Sequence, residues 1–239
     1  MNHLFEELDY SLTSLGPLSL RRRRELSLQI DIYEVILGQH HLMSSLFTES
    51  ERALGDLGMA ATDGQDIDVL VGGLGLGYTA EAVLNCPGLR SLTVIDIMQP
   101  VIDWHEQNLL PIGRLLADDS RCTMQQGDFF AMAASREGFD IAAPGRKFHA
   151  ILLDIDHSPE FFLDTGNAAF YQPDGLRDLQ QHLHPGGIFG LWSDAGTDRA
   201  FVERLRETFA SASAEPVTFH NPLQNKECTQ TVYLARKAK

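Results

Sequence analysis

The chain has 239 residues, 44% hydrophobic and 22% charged, with a formal net charge of −14 at pH 7. That length supports one full core with a small appendage, and the charge argues against a nucleic-acid backbone or an anionic membrane as partner. No apolar run reaches the 18 or so residues needed to span a bilayer. Three scattered cysteines without a C-x-x-C predict a reduced, cytoplasmic setting and no zinc.

In chain order, Glu6, Glu7 and Asp9 make the start unlike a signal peptide. Gly16-Pro17 marks a turn. The basic block Arg21 to Arg24 reads as a solvated edge beside an acidic body rather than an anion patch. Leu26, Leu28, Ile30 and Ile32 alternate with Ser27, Gln29 and Asp31, and the apolar run then stops at Gly38. That pattern predicts strand, in a small hairpin or sheet ahead of the main domain. His40-His41 lacks a third ligand at suitable spacing, so no metal site is expected. Thr48 with Glu51 three residues on has the form of a capping box and predicts a helix to about Leu57. The organisation expected is a β-hairpin and helix region over residues 1–58, then a nucleoside-binding domain over 59–239.

The second region opens on Val69-Leu70-Val71-Gly72-Gly73-Leu74-Gly75-Leu76-Gly77-Tyr78, an apolar run into a glycine turn, with helix-forming residues after it. Strand, glycine turn and helix bring backbone N–H groups and a helix N-terminus against a ligand. Gly73, Gly75 and Gly77 form G-x-G-x-G, and Tyr78 stands where a dinucleotide fingerprint would need glycine. The predicted ligand is therefore one nucleoside with a non-phosphate tail, such as S-adenosylmethionine (SAM), although a structural tight turn has the same glycines.

Further strands are expected at 91–95, 121–125, 149–153 and 188–192, alternating with helices. Val217 to Phe219 and Thr231 to Leu234 follow with no helix between them, which makes an antiparallel pair. The fold class expected is α/β: a Rossmann-like SAM-dependent methyltransferase fold, a seven-stranded and mostly parallel sheet with a C-terminal antiparallel hairpin, behind a short N-terminal β region.

Ligands bind beyond the carboxyl ends of such strands, where the chain places Asp96, Asp128 and Asp154. Asp96 suits a carboxylate accepting both ribose hydroxyls. Asp128 suits the adenine amine, with Phe129 and Phe130 flanking the ring. Each aspartate could instead cap a helix. Trp192 walls the pocket or belongs to the core.

These residues resemble the spermidine-synthase-like aminopropyltransferases of the SAM-dependent methyltransferase superfamily. The resemblance runs from about residue 66 to 192. It is carried by Val69-Leu70-Val71-Gly72-Gly73, Val94-Ile95-Asp96, Gly127-Asp128, Ile151-Leu152-Leu153-Asp154, Ala169-Phe170-Tyr171 and Leu183-His184-Pro185-Gly186-Gly187. It implies a transferase of polyamine biosynthesis with decarboxylated SAM or SAM as group donor and no metal. A small amine is the implied acceptor, and a homodimer joined through the N-terminal region is compatible with it. It puts Asp96 at the ribose, Asp128 at the adenine, and Asp154 at the aspartate that binds and deprotonates the amine.

Two departures stand out. Gly75 occupies the place of the loop aspartate that holds the donor's aminopropyl ammonium in the family. Asp154-Ile155-Asp156-His157-Ser158-Pro159 replaces D-S-S-D-P. Asp156 and His157 therefore join Asp154 as candidate catalytic groups, with His157 either a base or a loop histidine. An ordinary methyltransferase and a non-catalytic nucleoside-binding protein are the alternatives.

Overall fold

A computed structural model describes residues 4–239; the first three residues of the 1–58 region lie outside the described part. Four antiparallel strands come first: β1 (Phe5–Thr13), β2 (Gly16–Glu25), β3 (Ile30–Leu37) and β4 (His40–Ser44), in that spatial order. The expected small hairpin is thus a full sheet. Leu26 to Gln29, expected in a strand, form the β2–β3 turn with Gln29 at φ 56°. Leu28 satisfies the alternation without belonging to a strand.

The arginine block is not an edge either. It lies on β2, an interior strand, and its side chains pair with acids on both neighbours. Arg22 meets Glu6 at 2.7 Å, Arg23 meets Glu34 at 2.8 Å and Arg24 meets Asp31 at 3.2 Å. Cross-strand pairing of opposite charges accounts for the run.

Helix α1 (Glu49–Ala61) leads into the main sheet. This comprises β5 (Ile67–Gly72), α2 (Tyr78–Leu84), β6 (Leu89–Asp96), α3 (Gln99–Glu106), α4 (Gly113–Ala117), β7 (Cys122–Gln126), α5 (Phe129–Ala134) and β8 (Phe148–Leu153). A 3₁₀ turn (Thr165–Ala169), α6 (Pro173–Gln180), β9 (Leu183–Ser193), α7 (Arg199–Thr208), β10 (Ser211–Asn221) and β11 (Lys226–Arg236) complete it. The order is β10-β11-β9-β8-β5-β6-β7, with β11 antiparallel to β9 and the five strands from β9 to β7 parallel. The expected seven-stranded sheet and terminal hairpin are present. β5 and β8 are buried along almost their whole length, as central parallel strands covered on both faces must be.

One apolar cluster runs from the small sheet (Leu18, Leu20, Val35) through α1 (Leu54) to α3 (Val101, Trp104). Trp104 Nε1 donates to Asp9 Oδ2 at 2.7 Å, fastening β1 to α3. The small sheet is thereby held over the carboxyl ends of the parallel strands. No helix among the described residues is long and apolar enough to cross a membrane.

Candidate active site

A cavity of about 690 Å³ lies at those strand ends, between the main sheet and the small one. Its floor is the loop Gly73 to Gly75, and Val35, Leu37, Leu42 and Met43 of the small sheet form an apolar wall. Gly73 has φ +91°, and a Cβ there would stand 2.0 Å from the Asp154 carbonyl oxygen. Gly75 has φ +46°, and its Cβ would meet Met43 Sδ at 2.3 Å. Glycine is required at both, by dihedral and by contact. Gly77 does not line the cavity. It precedes α2 at φ +90° and packs on His105 and Leu116.

The loop is held from two sides. Asp96 accepts from Leu74 N–H at 2.9 Å and Met98 N–H at 2.8 Å. It is buried, and desolvation pushes its carboxyl up against the opposing pull of those N–H bonds. On the other side His105 Nε2 lies 3.0 Å from the Gly75 carbonyl oxygen. Burial lowers its pKa to about 4, so the ring is neutral and Nε2–H donates. Asp96 thus has a structural task besides facing the cavity.

Asp128 caps α5: its Oδ1 accepts from Phe130 N–H at 3.0 Å and Ala131 N–H at 3.1 Å. The helix-cap alternative is therefore realised, while the side chain also borders the cavity. Phe129 borders it too, but only 2% of its surface is exposed and it packs beneath Gly72 with Phe139 and Phe170.

Of the three candidate catalytic groups, two face the cavity. Asp154 does so, with Thr79 Oγ1 donating to its Oδ2 at 2.7 Å, and burial pushes its carboxyl up to about 6. His157 does so as well. Its Nδ1 is 3.6 Å from Asp194 Oδ2, and its ring stacks on Phe161. Asp156 does not reach the cavity. It is 1% exposed and accepts from Leu163 N–H, Asn167 Nδ2 and Tyr171 OH. It organises the loop after β8 and has no free oxygen turned to a substrate. Of the candidate catalytic groups it is thus the one that the structure keeps within the loop, away from the cavity lining.

Glu51 is the residue the sequence misread. The capping box does not form: Thr48 makes no side-chain cap, and its N–H bonds Glu49 Oε2 at 2.9 Å. Glu51 instead turns inward, 7% exposed, and lines the cavity. Ser50 Oγ donates to its Oε2 at 2.7 Å, and Trp192 Nε1 donates to Ser50 Oγ at 2.8 Å. Burial first, and the Asp154 charge second, raise its carboxyl to about 7. A signal was present: Glu51, Leu54, Gly55, Gly58 and Met59 occupy one helical face, and all are buried.

Seven carboxylates line the cavity in all, and no lysine or arginine lines it among the described residues. No group of three metal-ligating side chains is found among them either.

This architecture, a Rossmann-like methyltransferase sheet with a β region closing over its strand ends, is the spermidine synthase fold. A spermidine synthase solved in complex with the transition-state analogue AdoDATO superposes with TM-score 0.73, covering 97% of this chain and 74% of that one at 12% identity. The spermidine synthase of Thermotoga maritima gives 0.71 over 97% and 72%, also at 12% identity. In sequence the chain is 28% identical to the polyamine aminopropyltransferase of Sulfolobus acidocaldarius over 120 residues, which are 50% of this chain. The match spans 36% of that relative's length. No protein-family model matches the chain.

Proposed function

We propose that the chain is a spermidine-synthase-like transferase that moves an aminopropyl group from decarboxylated SAM to a small amine. The observation that carries this reading is the charge of the cavity: seven carboxylates and no fixed cation among the described residues, at the carboxyl ends of a Rossmann-like parallel sheet. Such a lining concentrates cationic ligands and repels anionic ones. The nucleoside would lie over Gly73 to Gly75, with its ribose toward Asp96 and its adenine toward Asp128 and Phe129.

The chemistry asks little of the protein beyond alignment and proton removal. The acceptor enters as an ammonium and loses a proton to Asp154. Its nitrogen lone pair then attacks the donor carbon bonded to sulfur. A C–N bond forms, the C–S bond breaks with its electron pair on sulfur, and methylthioadenosine leaves as a neutral thioether. A carboxyl held at about 6 is a better proton acceptor than an ordinary aspartate and is still ionised near neutrality. His157, which lines the same cavity beside Asp194, would pass the proton outward in this reading.

A second reading is methyl transfer from intact SAM. The observation favouring it is Gly75, which brings no charge to the loop. Side-by-side calorimetric titration with methylthioadenosine, SAM and decarboxylated SAM separates the two. Tighter binding of decarboxylated SAM, and aminopropyl transfer to an amine abolished by Asp154→Asn, are expected. Tighter binding of SAM would replace the aminopropyl reading with methyl transfer. Nucleoside binding with no transfer to any acceptor would leave a binding protein. The reading includes a cytoplasmic setting, small-molecule partners rather than nucleic acid or membrane, and no metal; a homodimer is compatible with it.

A further inference from the structure

Buried carboxylates at the two ends of β5 are treated differently. At the amino end Asp68 is 2% exposed and receives Arg90, Arg146 and Ser91. At the carboxyl end Glu51 and Asp154 share one cavity, the Asp154 charge raises the cost of charging Glu51, and what they receive is hydroxyls, Ser50 on Glu51 and Thr79 on Asp154. Glu49 adds negative charge. Arg52, the next residue along, is drawn to Glu81 at 2.6 Å and lies over the Tyr78 ring. The cavity wall adds Tyr78, His157 and five further aspartates, Asp96 and Asp128 among them, and none of these is a fixed cation. A buried carboxylate without a cation is costly, and the cost falls when a cation arrives.

The arrangement is also hydrogen-bonded throughout. Trp192 fixes Ser50, and Ser50 fixes the Glu51 carboxylate. Thr79 Oγ1 lies 3.1 Å from the Glu51 carbonyl oxygen and 2.7 Å from Asp154 Oδ2, tying α1 to the strand end through the first turn of α2. Glu51 and Asp154 therefore line the same cavity as Gly73 to Gly75, the loop over which the transferase reading lays the nucleoside and its tail. The loop itself, with Gly75, offers no charge.

We infer that Glu51 is a specificity-determining residue: with Asp154 it seats the ammonium of the donor's tail and so disfavours a donor that also carries a carboxylate. This rests on the transferase reading above. It assigns to α1 the selection that the glycine loop does not perform. Because an arriving ammonium favours ionisation of both carboxyls, binding of the decarboxylated donor near pH 6.5 is accompanied by proton release.

The test titrates wild type, Glu51→Gln and Glu51→Asp with decarboxylated SAM, SAM and methylthioadenosine, in two buffers of different ionisation enthalpy. Expected is a wild-type preference for decarboxylated SAM that shrinks by roughly tenfold in Glu51→Gln, the size of one pKa unit of interaction, and returns in part in Glu51→Asp. Proton release should shrink in Glu51→Gln to the share that Asp154 contributes. Methylthioadenosine, which has no ammonium, should bind all three alike and reports that they are folded. An unchanged donor preference in Glu51→Gln with methylthioadenosine binding intact overturns the inference and leaves the transferase reading standing. Weaker amine binding with donor preference unchanged overturns it in the same way, by moving Glu51 to the acceptor. Failure of wild type to bind methylthioadenosine overturns both.

Discussion

Asp154 and Asp156 are two residues apart, and their side chains do opposite work. Asp156 holds a loop through Leu163, Asn167 and Tyr171, whereas Asp154 faces the cavity with one hydroxyl on it. Asp154→Asn should lower transfer by at least about a hundredfold, the usual worth of a positioned base, and leave methylthioadenosine affinity within twofold or so. Asp156→Asn should instead lower the melting temperature, with kcat changed through loop order. His157→Ala should cost less activity than Asp154→Asn, because a relay residue can be replaced by water. Glu51 carries a pH prediction as well. Its carboxyl is raised from 4.5 to about 7 in the folded protein, so the native state holds a proton that the unfolded chain has released. Stability then falls as pH rises from about 4.5 to about 7 and is level above that. Glu51→Gln should flatten this profile and gain on the order of 2 kcal/mol at pH 8 relative to wild type, measured by urea unfolding at both ends of the range.

The glycine loop, β4 and α3 form one unit at the scale of elements. Met43 of β4 presses on Gly75 from above, with Leu76 N–H 3.2 Å from its sulfur, and His105 of α3 bonds the Gly75 carbonyl from below. Gly75→Ala should destabilise by about 1–3 kcal/mol from overpacking, and a second substitution, Met43→Ala, should return part of that. Additive effects of the two substitutions would refute the contact. Asp128→Ala removes the α5 cap and should cost about 1 kcal/mol. If the side chain also meets adenine, methylthioadenosine affinity falls more than that loss of stability explains.

The small sheet and the main sheet share one apolar cluster at the scale of the whole molecule, so a single cooperative unfolding transition is expected. Trp104→Phe keeps the ring in that cluster and removes its bond to Asp9. A drop of about 1–2 kcal/mol is expected, together with weaker binding in the cavity that the small sheet covers. Two separated transitions in wild-type calorimetry would show instead that the sheets unfold independently.

The main domain was legible in the sequence because its signals are local. An apolar run fits a buried strand, G-x-G-x-G fits a turn with positive φ, and a carboxylate after each strand falls at one edge of a parallel sheet whatever packs on it. Asp96, Asp128 and Asp154 were found in that way, and the terminal hairpin followed from the missing helix. What the local pattern could not decide was direction. Asp154 and Asp156 look alike in sequence, and only the loop that folds back onto Asp156 removes it from the cavity. The alternation from Leu26 to Ile32 spans a turn, because Gln29 takes φ 56° there. Glu51 satisfied a capping-box pattern on paper. Its burial on the inner face of α1, opposite a strand end more than a hundred residues later, is a long-range fact, and long-range packing is what turned a helix-start signal into part of the site.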